Sequence, residues 1–426
     1  MANQGGSQHG IARTSRVRTE AQRQRDLERI ASYRVLEDDL RARVKNPRTA
    51  YADRASAQHV FDLTTRLLRL NPEYYTVWNI RRRALLVLLP AGPKARRGDC
   101  CDRSSCSCLG ETQPSHGCPK AGRSGTTADD AGDHTSEEND EEKKQDDEET
   151  EKQTRTMLQT ELEFTIPLLI ESPKCYWIWS YRLWILRQSI SRLPVPVARG
   201  IWQAELALAS KMLTKDRRNF HAWGYRRHVV AQLESDALGG GSMVEAEFQY
   251  TEDKIRADLS NFSAWHSRSK LIPRLLEERG ADEKARREFF EAELDKIHNA
   301  LNVGPEDQSL WYYHQYLMLN LTTLPPNNEH TITPTLPIED RIAFLRNELA
   351  EIRDLLEDYD NVKLIYEALI DLTLDLCRLE GKRKPDEEEK ENLREWLGKM
   401  KELDPMRMGR WRDFEEGLRR EWGVEA

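Results

Sequence analysis

Cysteine and histidine are the residue types here that could hold a metal. Five of the seven cysteines cluster as Cys100, Cys101, Cys106, Cys108 and Cys118, with His116 among them. Zinc sites usually pair two CxxC-type half-sites around a short folded unit. The gaps here are zero, four, one and nine residues. That irregular spacing reads as a loop, and no metal site is expected in this chain. Cys175 and Cys377 stand alone in helical patterns, so the ordered part does not depend on disulfides, which fits a reducing compartment. No HExxH, GxSxG or GKS/GKT pattern occurs, and Gly239, Gly240 and Gly241 follow no strand and precede no lysine. The chain therefore carries no self-contained nucleophile–base pair.

The 426 residues are 38% hydrophobic and 32% charged, more polar than an average globular chain. No run approaches the ~18 consecutive apolar residues of a membrane span, and no apolar stretch follows the N-terminus as in a secretory signal. A cytoplasmic protein is expected. Residues 91–152 hold 16 Asp/Glu and 9 Lys/Arg, so −7 of the net −8 resides there. The remainder is nearly neutral, which argues against a nucleic-acid-binding field. The same stretch opens on Ala91, Gly92 and Pro93 and ends in an acidic run. Low apolar content and like charge make it a disordered Cys/Ser then acidic insert. It divides one helical-repeat domain, 19–90 and 153–425, behind a flexible arm of residues 1–18.

Outside the insert the pattern is helical, and it repeats. Asn71–Arg81 (NPEYYTVWNIR), Ser172–Arg182 (SPKCYWIWSYR), Asp216–Arg226 (DRRNFHAWGYR) and Asp258–Arg268 (DLSNFSAWHSR) share one frame: cap, x3, aromatic, x2, Trp, x2, Arg. Asp307–His314 (DQSLWYYH) is a degenerate fifth. The tryptophans Trp78, Trp179, Trp223, Trp265 and Trp311 step by 101, 44, 42 and 46 residues, and removing the 62-residue insert reduces the first step to 39. A period near 40 means one helical hairpin per repeat. The first position supplies a good N-cap each time. Pro72 and Pro173 suit the first helical position. Tyr75, Tyr176, Phe220 and Phe262 each precede a Trp by three residues, which places both on one helix face for packing between hairpins. The Arg three residues after each Trp is expected to pair with a neighbouring hairpin's carboxylate or carbonyl. The fold class is all-α, a solenoid of stacked hairpins.

This frame and period resemble the α-subunit repeats of protein prenyltransferases. Asn219–Arg227 (NFHAWGYRR), Asn261–Ser269 (NFSAWHSRS), the fifth segment, Leu403–Arg407 (LDPMR) and His9–Arg13 (HGIAR) are most similar to the Rab geranylgeranyltransferase (type II) branch. The insert departs from the family pattern. Animal members carry immunoglobulin-like and leucine-rich repeat domains after the fifth repeat. Here only the Pro/Asn/Thr-rich stretch Leu321–Leu336 separates Trp311 from the next helix at Glu339, as in compact fungal members.

The resemblance implies a right-handed superhelix of hairpins wrapped around a separate β subunit, which would supply zinc and the isoprenoid pocket. The reaction implied is transfer of geranylgeranyl from geranylgeranyl diphosphate to C-terminal cysteines of Rab GTPases presented by a Rab escort protein. No cofactor is expected on this chain. Lys174 matches the family's motif lysine and is implied as the catalytic cation on the departing diphosphate, placed in the first turn of a helix whose dipole already favours an anion. Tyr176, Asn219 and His221 match positions near the same pocket. Phe220 stands where other family members have Tyr, so no hydroxyl contact comes from there. Two other readings stand beside this one: the α subunit shared by farnesyltransferase and geranylgeranyltransferase type I, and a non-catalytic helical-repeat adaptor. Lys174 in its frame favours an enzyme subunit.

Excising residues 91–152 and closing the gap should leave folding nearly intact, because loop-closure entropy changes by only about 0.6 kcal/mol per doubling of length. Expression of the shortened chain tests this; loss of soluble protein would show that the segment is structural.

Overall fold

In a computed structural model, residues 19–90, 136–328 and 330–422 are described. The arm and the cysteine-rich part of the insert, including any metal reading of its cysteines, lie outside the described residues. Among those described there is no strand. The helices are α1 (Glu20–Val44), α2 (Pro47–Ala50), α3 (Arg54–Leu70), α4 (Tyr75–Leu88), α5 (Ser136–Glu171), α6 (Tyr176–Arg192), α7 (Val195–Lys215), α8 (Phe220–Leu233), α9 (Val244–Ala257), α10 (Phe262–Glu278), α11 (Glu283–Val303), α12 (Gln308–Thr322), α13 (Ile338–Asp358), α14 (Lys363–Leu379), α15 (Glu387–Leu403) and α16 (Met408–Trp422). Where the sequence suggests one repeat domain, the contacts group into two compact units, Met1–Ala204 and Glu205–Ala426. In the first, α3 pairs with α4 and α5 with α6; in the second, α9 pairs with α10, α11 with α12 and α13 with α14.

The acidic run is not the featureless tail of an insert. It is helical from Ser136 and runs into the repeat as the start of α5. Glu, Lys and Gln are good helix formers, and Thr154, Leu158 and Glu161 further along are buried. The folded part of the repeat thus takes over near Thr154.

Every repeat tryptophan is buried: Trp78, Trp179, Trp223, Trp265 and Trp311. Each indole N–H donates to the carbonyl six residues upstream, in the turn before its own helix: Pro72 (2.8 Å), Pro173 (2.9 Å), Arg217 (2.9 Å), Leu259 (2.7 Å) and Pro305 (2.6 Å). The tryptophan therefore fills the core and also ties the tight turn. The Tyr366 hydroxyl makes the same six-residue bond to Asp360 O at 2.7 Å, so the hairpin of α13 and α14 keeps the device with a different aromatic.

The aromatics three residues earlier contradict the packing expected of them. Tyr75, Tyr176, Phe220 and Phe262 are exposed, Phe220 at 74%. The cause lies in where the helices begin. Residues 71–74 and 172–175 form the turn, so Pro72 and Pro173 are turn residues, and Tyr75, Tyr176, Phe220 and Phe262 are each the first residue of a helix. Asn71 and Asp258 accordingly cap the ends of α3 and α9, while Asn219 and Asn261 cap the starts of α8 and α10.

In three repeats the arginine after the tryptophan pairs with a neighbouring hairpin; in the second, Arg182 bonds Leu162 O at 2.6 Å and Thr165 on α5 of its own hairpin. Arg81 on α4 makes a two-pronged bond to Glu161 of α5 at 2.7 and 2.7 Å. Arg226 on α8 does the same with Glu247 of α9 (2.9 and 2.6 Å), and Arg268 on α10 with Glu293 of α11 (2.8 and 2.5 Å). The fifth repeat substitutes His314, whose Nε2 lies 2.8 Å from Glu348 on α13. Glu161 also accepts from Tyr181 at 2.6 Å and Glu293 from Tyr313 at 2.5 Å, each tyrosine on the same hairpin as its glutamate; Glu205 accepts from Tyr225. These ions are buried and heavily hydrogen-bonded, the condition under which such a pair is tolerated, and Arg268 Nη1, which has no hydrogen-bond partner among the described residues, lies 3.2 Å from Glu252.

The joint of the fifth repeat differs from the others described in pairing its glutamate with imidazoles. A second imidazole, His298 on α11, lies 2.8 and 2.9 Å from the two oxygens of Glu348. Burial opposes charge on Glu348, but the hydrogen bonds from His298 and His314 outweigh it and lower its pKa to about 2. Burial also opposes charge on His298. The bonds to Glu348, with Glu351 and Asp295 nearby, outweigh that and raise its pKa. The glutamate's contribution is present above its ordinary value of 4.5 and is lost as pH falls toward 2. The histidine's is full below its ordinary 6.5 and fades as pH rises through its raised value. The joint is therefore tightest between those two ordinary values. Denaturant midpoints followed from pH 6 to 9 should fall for the wild type and fall less for His298→Gln. Parallel curves would show that this histidine does not couple to folding.

Candidate functional site

Lys174, the implied catalytic cation, is exposed in the turn between α5 and α6. It is not in the first helical turn, where the sequence frame put it. The turn is held from beneath. Ser172 O accepts the Cys175 amide, Pro173 O accepts Trp179, and Cys175, the N-cap of α6, is buried. Burial raises the Cys175 thiol pKa, although the Ile178 and Trp177 amides pull it the other way. The cysteine is thus a structural thiol, and its Sγ donates to Pro72 O at 3.4 Å. That carbonyl already accepts the Trp78 indole.

The same cross-tie between successive turns recurs in the second unit. Asn261 Nδ2 donates to Arg217 O (3.0 Å), the acceptor of Trp223, and Ser309 Oγ donates to Ser260 O (3.2 Å). Turn carbonyls therefore take one bond from their own tryptophan or turn and one from the next hairpin. This fixes the spacing of neighbouring turns and of whatever projects from them.

What projects is aromatic and cationic. In the first unit Trp177 packs between Tyr75 (5.3 Å between ring centroids) and Tyr176 (5.2 Å, edge-on), directly after Lys174. In the second unit Phe262 meets Tyr312 edge-on at 5.6 Å and stacks on His266 at 5.9 Å. Arg218, in the turn before α8, makes a two-pronged bond to Asp258 at 3.2 and 3.1 Å, which raises its pKa and commits it to the next hairpin.

The four sequence-assigned residues divide between the units: Lys174 and Tyr176 lie in the first, Asn219 and His221 in the second. Tyr176 is exposed at the start of α6. Asn219 is buried, and its side-chain oxygen accepts the Ala222 amide at 3.1 Å, which is a capping role. His221 is half-buried with its ring edge-on to Phe220 at 5.8 Å. Sequence reasoning missed the glutamates of the joints and the turn-to-turn ties. One signal could have revealed the former: Glu161–Tyr181, Glu205–Tyr225 and Glu293–Tyr313 are each twenty residues apart. Among the described residues no three His, Cys, Asp or Glu side chains converge as a metal cage, and no helix is long and apolar enough to cross a membrane.

Residues 57–88, 158–189, 202–233, 244–275 and 290–321 each match the protein prenyltransferase alpha subunit repeat. These segments are the five hairpins carrying the repeat tryptophans. The chain is 35% identical over 220 residues to a geranylgeranyl transferase type-2 subunit alpha of Schizosaccharomyces pombe, covering 51% of this chain and 62% of that protein. It is 35% identical over 192 residues to the subunit of that name in Saccharomyces cerevisiae (45% and 56%). The Candida albicans subunit of the same name aligns at 28% over 337 residues, 73% of each chain. The first two alignments thus span less than two thirds of those relatives' own length.

The two classes of repeat aromatic should separate cleanly in stability measurements. Trp223→Ala empties a core position and should cost roughly 3–5 kcal/mol. Phe220→Ala removes an exposed ring and should stay within about 0.5 kcal/mol. Denaturant titration of both variants checks this; equal losses would refute the assignment of Phe220 to the surface.

Proposed function

The chain belongs to the protein prenyltransferase alpha subunit repeat family, and from that membership we propose that it is the α subunit of a heterodimeric Rab geranylgeranyltransferase. The observation that carries this reading is Lys174. It stands exposed in a turn locked by the Trp179 and Cys175 bonds, in the same sequence frame as the family's motif lysine, with aromatic rings immediately after it. A solvent-facing lysine on a turn held by these bonds is suited to a substrate held by a second subunit.

In this reading a β subunit docks on the turn ends and brings the isoprenoid pocket and the zinc. When bound, zinc would keep the acceptor cysteine as a thiolate, the form that attacks carbon. This chain's part is electrostatic. As the C–O bond of geranylgeranyl diphosphate breaks, negative charge grows on the leaving diphosphate. An ammonium already in place stabilises that charge without further reorganisation. Tyr176 stands at the start of α6, two residues after Lys174, and in the second unit Asn219 holds the start of α8 that carries His221. The acceptors would be C-terminal cysteines of Rab proteins delivered by an escort protein, in the cytoplasm. An adaptor without enzymatic role would need no ammonium in this frame, and a farnesyl-type subunit would differ in its acceptor.

Lys174→Ala in the reconstituted heterodimer should lower the single-turnover rate about 10²–10³-fold, with little change in affinity for the isoprenoid diphosphate. Lys174→Arg should restore activity only in part, because a planar fork does not reproduce a point charge. Turnover of Lys174→Ala within twofold of wild type, with Arg218→Ala inactive, would move the contact to the following repeat. Failure of the chain to bind any zinc-containing partner would favour the adaptor.

A further inference from the structure

Arg81 and Arg82 are adjacent on α4 and live in opposite electrostatic circumstances. Arg81 is buried against Glu161. Arg82 is half-buried on the side of α4 facing α6, and its partners are neutral: Nη1 donates to Asn79 Oδ1 at 2.8 Å and Nη2 to Ser180 Oγ at 3.2 Å. Its Nε is buried with no partner among the described residues. The guanidinium lies over the Tyr181 and Trp184 rings at 5.7 and 5.9 Å, which holds its plane. Burial lowers its pKa; Tyr181 and Tyr176 favour the charge, and Arg187 on α6 opposes it. No carboxylate among the described residues forms a salt bridge with it. A cation that is oriented, partly desolvated and set near a second cation is a receptor for an anion.

Its position indicates which anion. Ser180, its hydrogen-bond acceptor, is one helical turn beyond Tyr176, and Tyr176 follows Lys174 by two residues. Arg82 therefore sits along α6 at its second and third turns, against Ser180, Tyr181 and Trp184, with Lys174 in the turn before that helix. The geometry points to Arg82, assisted by Arg187, as a second binding residue for the diphosphate group of the isoprenoid substrate. This rests on the reading of Lys174 given above. A diphosphate carries several negative charges on two phosphoryl groups, so Lys174 can meet one end while the guanidinium takes another oxygen. Lys174 stabilises charge that appears in the transition state. Arg82 binds charge already present, so its loss weakens ground-state affinity instead of the chemical rate.

The test uses the reconstituted heterodimer and inorganic pyrophosphate as competitive inhibitor against geranylgeranyl diphosphate. Arg82→Gln should weaken pyrophosphate inhibition about tenfold, the loss of one charge-assisted hydrogen bond, with single-turnover rate at saturating substrate and subunit assembly unchanged. Arg82→Lys should fall between. Arg187→Gln, a change at an exposed side chain that leaves the fold intact, should weaken inhibition by a smaller factor. Unchanged pyrophosphate inhibition in Arg82→Gln and Arg187→Gln would overturn the proposal. Loss of subunit assembly in Arg82→Gln would overturn it too, and would assign Arg82 to a carboxylate of the partner subunit. Either result leaves the role of Lys174 standing, since that is read from the chemical rate. A heterodimer that binds no isoprenoid diphosphate would remove both.

Discussion

The buried ion pair between neighbouring hairpins is the constraint on which the rest of the structure depends. A single hairpin of α3 and α4 could not hide a tryptophan and an arginine by itself. It does so because Arg81 finds Glu161 on α5, with Thr64 and Thr65 taking further donors and the Phe61 and Phe164 rings lying 3.8 and 4.2 Å from the guanidinium carbon. Arg226 and Arg268 repeat the solution with different neighbours, among them Ser210 and the ring of Tyr250 for the first and the ring of Phe248 for the second. Burying two charges is expensive, so such a pair gives little net stability compared with an apolar replacement. Breaking one partner out of it, however, costs about 3–5 kcal/mol. Its effect is on register, because the two-pronged geometry admits one placement of each hairpin against the next. The turns are then tied to each other through shared carbonyls, and the residues projecting from them inherit that spacing.

Much of this was legible from residue spacing. The 40-odd-residue period, the buried tryptophans and, in three of the repeats, the pairing of the following arginine all follow from amphipathic geometry. The exposed aromatics did not, because the frame aligned the turn residues 71–74 and 172–175 with the helix that follows. Proline at the second position is compatible with the first helical position and with a tight turn alike, and the hydrogen bond that decides between them comes from an indole six residues away. The same displacement moved Lys174 from a helical turn into a connecting turn. Glu161, Glu247 and Glu293 were hidden for another reason: a single glutamate on an amphipathic helix looks like any solvated charge until the arginine facing it is known. The acidic run after residue 135 was misjudged as well, since composition that cannot support a core by itself can still extend a helix anchored at Thr154 and Leu158.

Function divides along the same line. The interior of each hairpin is devoted to joints, and the sequence assigns it no chemistry. The turn ends carry the exposed rings and Lys174, and Arg187 lies in the second half of α6; among the described residues they enclose no catalytic site. A lysine carried on a turn held by its own hydrogen bonds fits the proposed reading of a subunit that adds electrostatics to chemistry completed by a partner.

The most direct test of this account is a double-mutant cycle across one joint, Arg268→Met and Glu293→Leu, followed by denaturant unfolding. The account predicts that each single change costs about 3–5 kcal/mol by leaving a buried charge alone, and that the double variant recovers much of that loss. Losses that simply add, within about 0.5 kcal/mol, would show that the two side chains act independently and that the hairpins are held in register by something other than their buried ion pairs.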